Sequence, residues 1–267
     1  MGRLIFILTT LFFFACQPKN YSSFLQNDEA VLSLPIVVVD SVLFQQQAVF
    51  RMFPPLAAAE IRYTTNGKTV KLDSPLCKDS LVFIGNTDLQ FRAFYGDFIP
   101  SETLLYSVRK VSNDGRMNIL DGSTLPKTPY EGTGLNALSD LKKGGLDFRS
   151  NAHWLGYQEK VIELYLKFDN ATFCEQISLS ILADYNSWIF TPSKLELVYN
   201  EMVIAERMID APIEDDGACL KFIDFPVGIS VKEATLKIYM DDIPDWHVGK
   251  GSVPWFFIDE VFCSFEF

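Results

Sequence analysis

Three side chains on turn-rich segments have the right types to hold a ligand. Trp188 stands in Ser187-Trp188-Ile189-Phe190-Thr191-Pro192, and Trp246-His247 lies between Pro244 and the glycine-bearing stretch Val248-Gly249-Lys250-Gly251. Indole rings on loops stack against the C–H faces of a pyranose, while a few polar groups fix the hydroxyls. Trp188, Trp246 and His247 are therefore the candidate ligand-binding residues. The same residues also fit a structural role, in which the indole packs and the imidazole ties down its loop. Trp154 and Trp255 sit within apolar runs and are expected in a core. His153 and His247 are the only histidines, which excludes a His-rich metal site. Neither accompanies a nucleophile motif such as G-x-S-x-G, so the chain is expected to be non-catalytic.

Cys16 carries a different chemistry. Residues 4–14 form an apolar run behind Arg3, interrupted only by Thr9 and Thr10. The run has the length of a signal h-region and falls short of the roughly 20 residues of a transmembrane helix. Phe13-Phe14-Ala15-Cys16 resembles a lipobox, with a small residue before the cysteine and Phe13 where a leucine is usual. Residues 1–15 are read as a lipoprotein signal peptide, Cys16 as the lipidation site and residues 16–34 as a tether. The protein is expected in the cell envelope, held to the membrane by its N-terminal lipid.

Cys77, Cys174, Cys219 and Cys263 show neither C-x-x-C nor Cys/His metal spacing. Four buried thiols are the first expectation. An oxidising compartment also permits a disulfide, and Cys174–Cys263 is the expected pair if one forms. The formal charge of -11, with no Lys/Arg stripe, excludes a nucleic-acid footprint.

These residues must be positioned by strands, because almost every patterned segment is short and rich in β-branched or aromatic residues. Strands are predicted over 36–39, 49–53, 61–64, 81–84, 89–94 and 104–108. After a polar, turn-forming cluster at Ser112-Asn113-Asp114-Gly115, more follow at 161–168, 177–183, 194–199, 202–208, 219–225, 234–239 and 255–262. Asn66-Gly67 predicts a type I′ hairpin. Residues 137–143 could form one helical turn. The 23 Phe and 10 Tyr suit β packing. The fold class is all-β: two β-sandwich domains, over 35–111 and 112–267, the second of jelly-roll type.

Two blocks carry a family resemblance. Residues 61–68 (Ile-Arg-Tyr-Thr-Thr-Asn-Gly-Lys), Ser74-Pro75-Leu76, Leu89-Gln90-Phe91-Arg92-Ala93, Gly96 and Ser101 resemble the immunoglobulin-like, fibronectin-III-associated domain of chitobiases and β-hexosaminidases. The second block comprises Ala137-Leu138-Ser139-Asp140, Trp154-Leu155-Gly156-Tyr157, residues 187–192, and residues 244–251 running into Trp255-Phe256-Phe257-Ile258-Asp259-Glu260-Val261. It resembles the discoidin-like, galactose-binding-type domain at the C-terminus of bacterial family-20 β-hexosaminidases. That resemblance implies a structural Ca²⁺ held by Asp140 and Glu260, with Asp147 a further ligand candidate. The family tends to have Gly where this chain has Leu141; a Gly there permits a tight loop. The catalytic barrel of those enzymes needs about 250 residues, and no stretch here matches it. Asp259-Glu260 shares the letters of their catalytic pair, but strand alternation would turn the two side chains to opposite faces.

The resemblance implies a glycan partner and a role in binding carbohydrate or assisting a glycan-degrading system. The alternative is a structural module that docks on another envelope protein.

Overall fold

The computed structural model describes residues 30–78, 80–111, 117–149, 152–213 and 217–264. Cys16, the signal peptide, most of the tether and the Ser112–Gly115 cluster lie outside the described residues. Among the described residues fifteen strands follow in chain order: β1 (Ile36–Val39), β2 (Leu43–Phe44), β3 (Ala48–Phe53), β4 (Glu60–Thr64), β5 (Leu76–Cys77), β6 (Ser80–Phe83), β7 (Thr87–Phe94), β8 (Leu104–Lys110), β9 (Met117–Ile119), β10 (Leu155–Tyr157), β11 (Val161–Ala183), β12 (Lys194–Tyr199), β13 (Met202–Met208), β14 (Cys219–Tyr239) and β15 (Phe256–Ser264). The fold is all-β. The helical turn expected at 137–143 is a short 3-10 turn at Leu135–Ser139.

The first eight strands form two sheets, ordered β1-β3-β6 and β2-β8-β7-β4-β5. Alternation supplies the core between them: Val37, Ala48 and Phe50 from one sheet meet Ile61, Leu89, Phe91 and Val108 from the other. Phe50 anchors the layer, edge-on to Phe83 at 5.8 Å and to Tyr106 at 5.7 Å. Asn66-Gly67 does not make the predicted hairpin. Only Gly67 has positive φ, and β4 pairs with β5 after a longer connection. Type I′ geometry needs positive φ at both central residues. That condition is met at Asn200 (φ 49) and Glu201 (φ 64), which join β12 to β13 across the Tyr199↔Met202 pair.

The second unit is built on two strands that are far longer than the sequence pattern predicts. The segments 161–168 and 177–183 are one strand, β11, and 219–225 and 234–239 are one strand, β14. Register shifts in β11, between Lys167 and Thr172 and between Cys174 and Gln176, interrupt the ladder. Bulges of this kind bend a strand, so each long strand serves two layers. One layer runs β9-β11-β14-β12-β13 and the other β10-β15-β11-β14. Leu164, Leu197, Leu236 and Ile238 from the first face Ile177, Leu179, Phe256 and Ile258 from the second in one core. Cys174 and Cys263 form a disulfide, Cα–Cα 6.0 Å, which corrects the first expectation of four thiols. Cys77 is buried and Cys219 half-buried.

The two units touch through Arg109 at the end of β8. Its guanidinium meets Asp88 at 2.8 Å and Asp224 at 3.1 Å and lies 4.8 Å over the Phe222 ring. Leu43, Val111 and Phe262 pack beside it.

Candidate functional site

The loops at one end of the second unit converge on an aromatic cluster. Gly156 of β10 donates its N–H to Tyr130 O and accepts from Lys127 N–H, both at 2.8 Å, laying residues 127–130 along the strand. The approach is close enough that a Cβ at Gly156 would stand 2.7 Å from Tyr130 Cβ. Tyr130 thereby packs against Phe257 at 4.7 Å, Trp255 at 5.2 Å and Phe148 at 5.8 Å. Trp154 is fully buried, as its apolar run predicts, and its Nε1 donates to Gly145 O at 2.9 Å. The indole lies where a Cβ of residue 144 would sit, so only glycine fits there.

Beside these rings is a pocket of about 250 Å³ lined by Tyr130, Glu131, Gly132, Phe148, Arg149 and Trp154, with Pro129 and Ala152 at its rim. Phe148 and Trp154 lie buried beneath it, and the surface it offers is mainly polar beside the half-buried Tyr130 ring. Arg149 is exposed and sits 4.2 Å over the Phe148 ring. Sequence reasoning missed this pocket. Only Trp154 among its lining residues was singled out, because 129–132 and 148–152 have no periodic signal.

The three predicted ligand residues are brought together on the adjoining loops. The Trp188 and His247 rings are 5.6 Å apart, and those of Trp246 and His247 5.7 Å. Trp188 ends a short 3-10 turn with φ 64, is 39% exposed, and lies against Gly249. Its carbonyl accepts from Trp255 N–H, which links this loop to the Tyr130 cluster. Trp246 packs on the main core. Gly249 N–H donates to His247 Nδ1 at 3.1 Å, which leaves the ring proton on Nε2, donating to Tyr185 O at 2.9 Å. Both imidazole nitrogens are thus engaged in shaping the loop.

Asp140 and Glu260 also meet. Lys142 N–H donates to Glu260 Oε1 at 2.7 Å and to Asp140 Oδ1 at 2.9 Å. Glu260 is fully buried, and its Oε2 has no hydrogen-bond partner. Two ionised carboxylates can only accept, so a proton on Glu260 or a cation between them resolves the clash. Burial above all, then the neighbouring carboxyls of Asp140 and Asp259, pushes the Glu260 carboxyl up to about 10. Asp147 is exposed. Among the described residues no group of three His, Cys, Asp or Glu is poised around one point.

Alternation fails at Asp259-Glu260, contrary to expectation. Ser180 pairs with Glu260 and Ile181 with Ile258, so Asp259 is the extra residue of a bulge. Both carboxylates therefore turn to the same loop. Asp259 accepts from Gly144 N–H and lies 3.1 Å from Lys143 Nζ, which also meets Ser180 Oγ. Asp259 is fully buried and Lys143 half-buried, its side chain 14% exposed, so the pair has little access to solvent. Burial pushes Asp259 up and Lys143 down, each held back by the other.

Leu141 takes φ 62 in this loop, the conformation a glycine would adopt without strain. Its side chain is 37% exposed, so little packing is at stake. Leu141→Gly is expected to raise stability by up to about 1 kcal/mol, relieving a left-handed backbone against the added freedom of the unfolded chain. A lowered melting temperature in a thermal scan would contradict that account.

No family model matches the chain, and no curated protein matches it. Several solved structures do. A SusE-like protein is 11% identical, with 87% of this chain and 97% of that one covered and a TM-score of 0.37. A fucolectin from striped bass serum is 9% identical over 85% and 84%, with a TM-score of 0.33. A structure from Clostridium perfringens, containing a carbohydrate-binding module in complex with GlcNAc, is 12% identical over 67% and 37%, with a TM-score of 0.31. These likenesses are distant, and the functional conclusions rest on the chain's own residues.

Proposed function

We propose that this chain is a non-catalytic envelope lipoprotein that binds carbohydrate in the pocket beside Tyr130. The observation that carries this is the pocket itself: about 250 Å³, with the half-buried Tyr130 ring on one side, Phe148 and Trp154 buried behind it, and Glu131 and Arg149 at hand for hydroxyls. A pyranose offers apolar C–H faces to rings and hydroxyls to the two charged groups. The half-exposed Trp188, one loop away through Trp255, extends the surface for a longer glycan. This keeps the resemblance to the accessory region of β-hexosaminidases, without their barrel.

Asp140 and Glu260 would hold a structural calcium ion in the same unit. Their donor set fits a hard cation: two carboxylates at one point, one with a buried oxygen lacking a partner. Loop carbonyls and water would supply the remaining ligands. The loop from Asp140 ends at Phe148 and Arg149, so the ion would brace one wall of the pocket. Cys16 would carry the lipid, and a Cys16→Ser variant that still partitions with membranes would remove that part of the proposal.

A glycan array probed with the protein in calcium, beside an Ala152→Trp variant, tests the pocket. Ala152 lies exposed at the rim, so the indole fills the mouth without entering the core. Binding by the parent and at least about tenfold weaker binding by the variant is expected. A folded protein that binds no glycan refutes the proposal.

A second reading has its own observation. Ile36, Val38, Phe53, Val82 and Ile84 are 64%, 47%, 51%, 52% and 72% exposed on and beside the outer face of β1-β3-β6. Clustered apolar exposure of this kind favours docking on another envelope protein. A Phe53→Asp variant that loses a co-purifying envelope protein while keeping glycan binding would support it; unchanged co-purification would count against it.

A further inference from the structure

We propose that the Tyr130 pocket selects a sugar bearing a carboxylate, such as a hexuronic acid, and that Arg149 is the residue that reads it. The inference rests on the carbohydrate-binding role proposed above and deepens it.

The chain has a surplus of acid, and three of its six described arginines have oxygen partners. Arg62 meets Glu60 and Ser74 O, Arg92 meets Ser101 O, and Arg109 meets Asp88 and Asp224. Arg149 differs. Its one contact is the Phe148 ring at 4.2 Å, and among the described residues it has no hydrogen bond or ion pair. The nearby Glu131 does not take it; that carboxylate accepts from Thr128 Oγ1 instead. A cation left without an anion in so acidic a protein, on the wall of a pocket, is placed for an anion from outside.

The form of that anion follows from the geometry. Guanidinium is a planar fork whose paired N–H donors match a carboxylate bidentately. Phe148 is 5% exposed and fixed by Tyr130 and Phe257, so stacking on it orders the arginine before any ligand arrives. Glu131 lines the same pocket, and its charge disfavours a dianion such as a phosphate monoester more than a singly charged carboxylate. The sugar ring would lie against Tyr130, with its hydroxyls toward Glu131. The overall charge of -11 repels polyanions at a distance, so selection for the acid has to come from this local contact.

The test uses pairs of oligosaccharides that differ only in whether a hexuronate is intact or reduced to its neutral alcohol, with a sulfated neutral oligosaccharide as a third probe. They are titrated into the protein, its Arg149→Gln and Arg149→Lys variants, and Ala152→Trp. The acid form is expected to bind roughly 10- to 100-fold tighter than the reduced form. Arg149→Gln should erase that difference, bringing the ratio between the two forms to about one. Arg149→Lys should restore only part of it, because an ammonium lacks the fork. Equal binding of the two forms, or a preference for sulfate alone, overturns the acidic-sugar inference. If Ala152→Trp still abolishes that binding, the carbohydrate-binding role survives. A folded protein that binds none of the probes overturns both.

Discussion

Asp259→Ala is expected to lower the unfolding free energy by about 3–5 kcal/mol, because it strands a buried ammonium. Lys143 reaches Asp259 from a side chain only 14% exposed, and Asp259 is fully buried. Removing the carboxylate also leaves Gly144 N–H without its acceptor. The two losses fall on one loop, whose far end forms a wall of the pocket. Replacing both partners, Lys143→Met with Asp259→Leu, should recover most of the loss, since an apolar pair of similar volume is often as stable as the ion pair. Urea unfolding of the single and double variants decides this. A single variant within about 1 kcal/mol of the parent would mean that the pair is more hydrated than its burial implies.

In chelator, stability should fall steadily as pH rises from about 4.5 toward 10. Glu260 titrates near 4.5 when unfolded and is pushed up to about 10 in the fold. The folded state therefore holds a proton that the unfolded state has released. A group raised in this way contributes its full stability below the unfolded pKa and loses it as pH climbs to the folded one. The slope is at most about 1.4 kcal/mol per pH unit within that window. Calcium should flatten it, because a cation supplies the counter-charge that the proton otherwise provides. Glu260→Gln, neutral at every pH, should lose both the slope and the calcium response. Melting curves across pH, in calcium and in chelator, check all of this. Identical parent and variant profiles would show that the carboxyl pair is not the controlling group.

The strands were legible because short apolar, β-branched and aromatic runs are set off by turn residues. The segments 36–39, 194–199 and 202–208 coincide with β1, β12 and β13, each a short run rich in apolar residues. The continuity of β11 and β14 was not legible, because residues that interrupt a pattern at a bulge read as a turn. The same limitation hid the placement of Asp259. Alternation assigns it away from Glu260, and only the bulge shows that both face the 140–144 loop. Turn chemistry misled at Asn66-Gly67 and was silent at Asn200-Glu201, where strand pairing imposes positive φ on residues that do not favour it. The meeting of Asp140 and Glu260 came from the family resemblance, since residues 120 positions apart leave no local signal. The Tyr130 pocket had no signal of either kind. Its walls come from two irregular segments placed by Gly156 and Trp154.

Cross-saturation NMR on the protein mixed with an envelope-derived oligosaccharide pool tests the central claim most directly. If the pocket holds the sugar, transfer should centre on Tyr130, Glu131, Gly132, Phe148 and Arg149 and weaken toward Trp188. Transfer confined to another face, such as Tyr165 and Tyr199 on the outer sheet, or none at all from a folded protein, would contradict it.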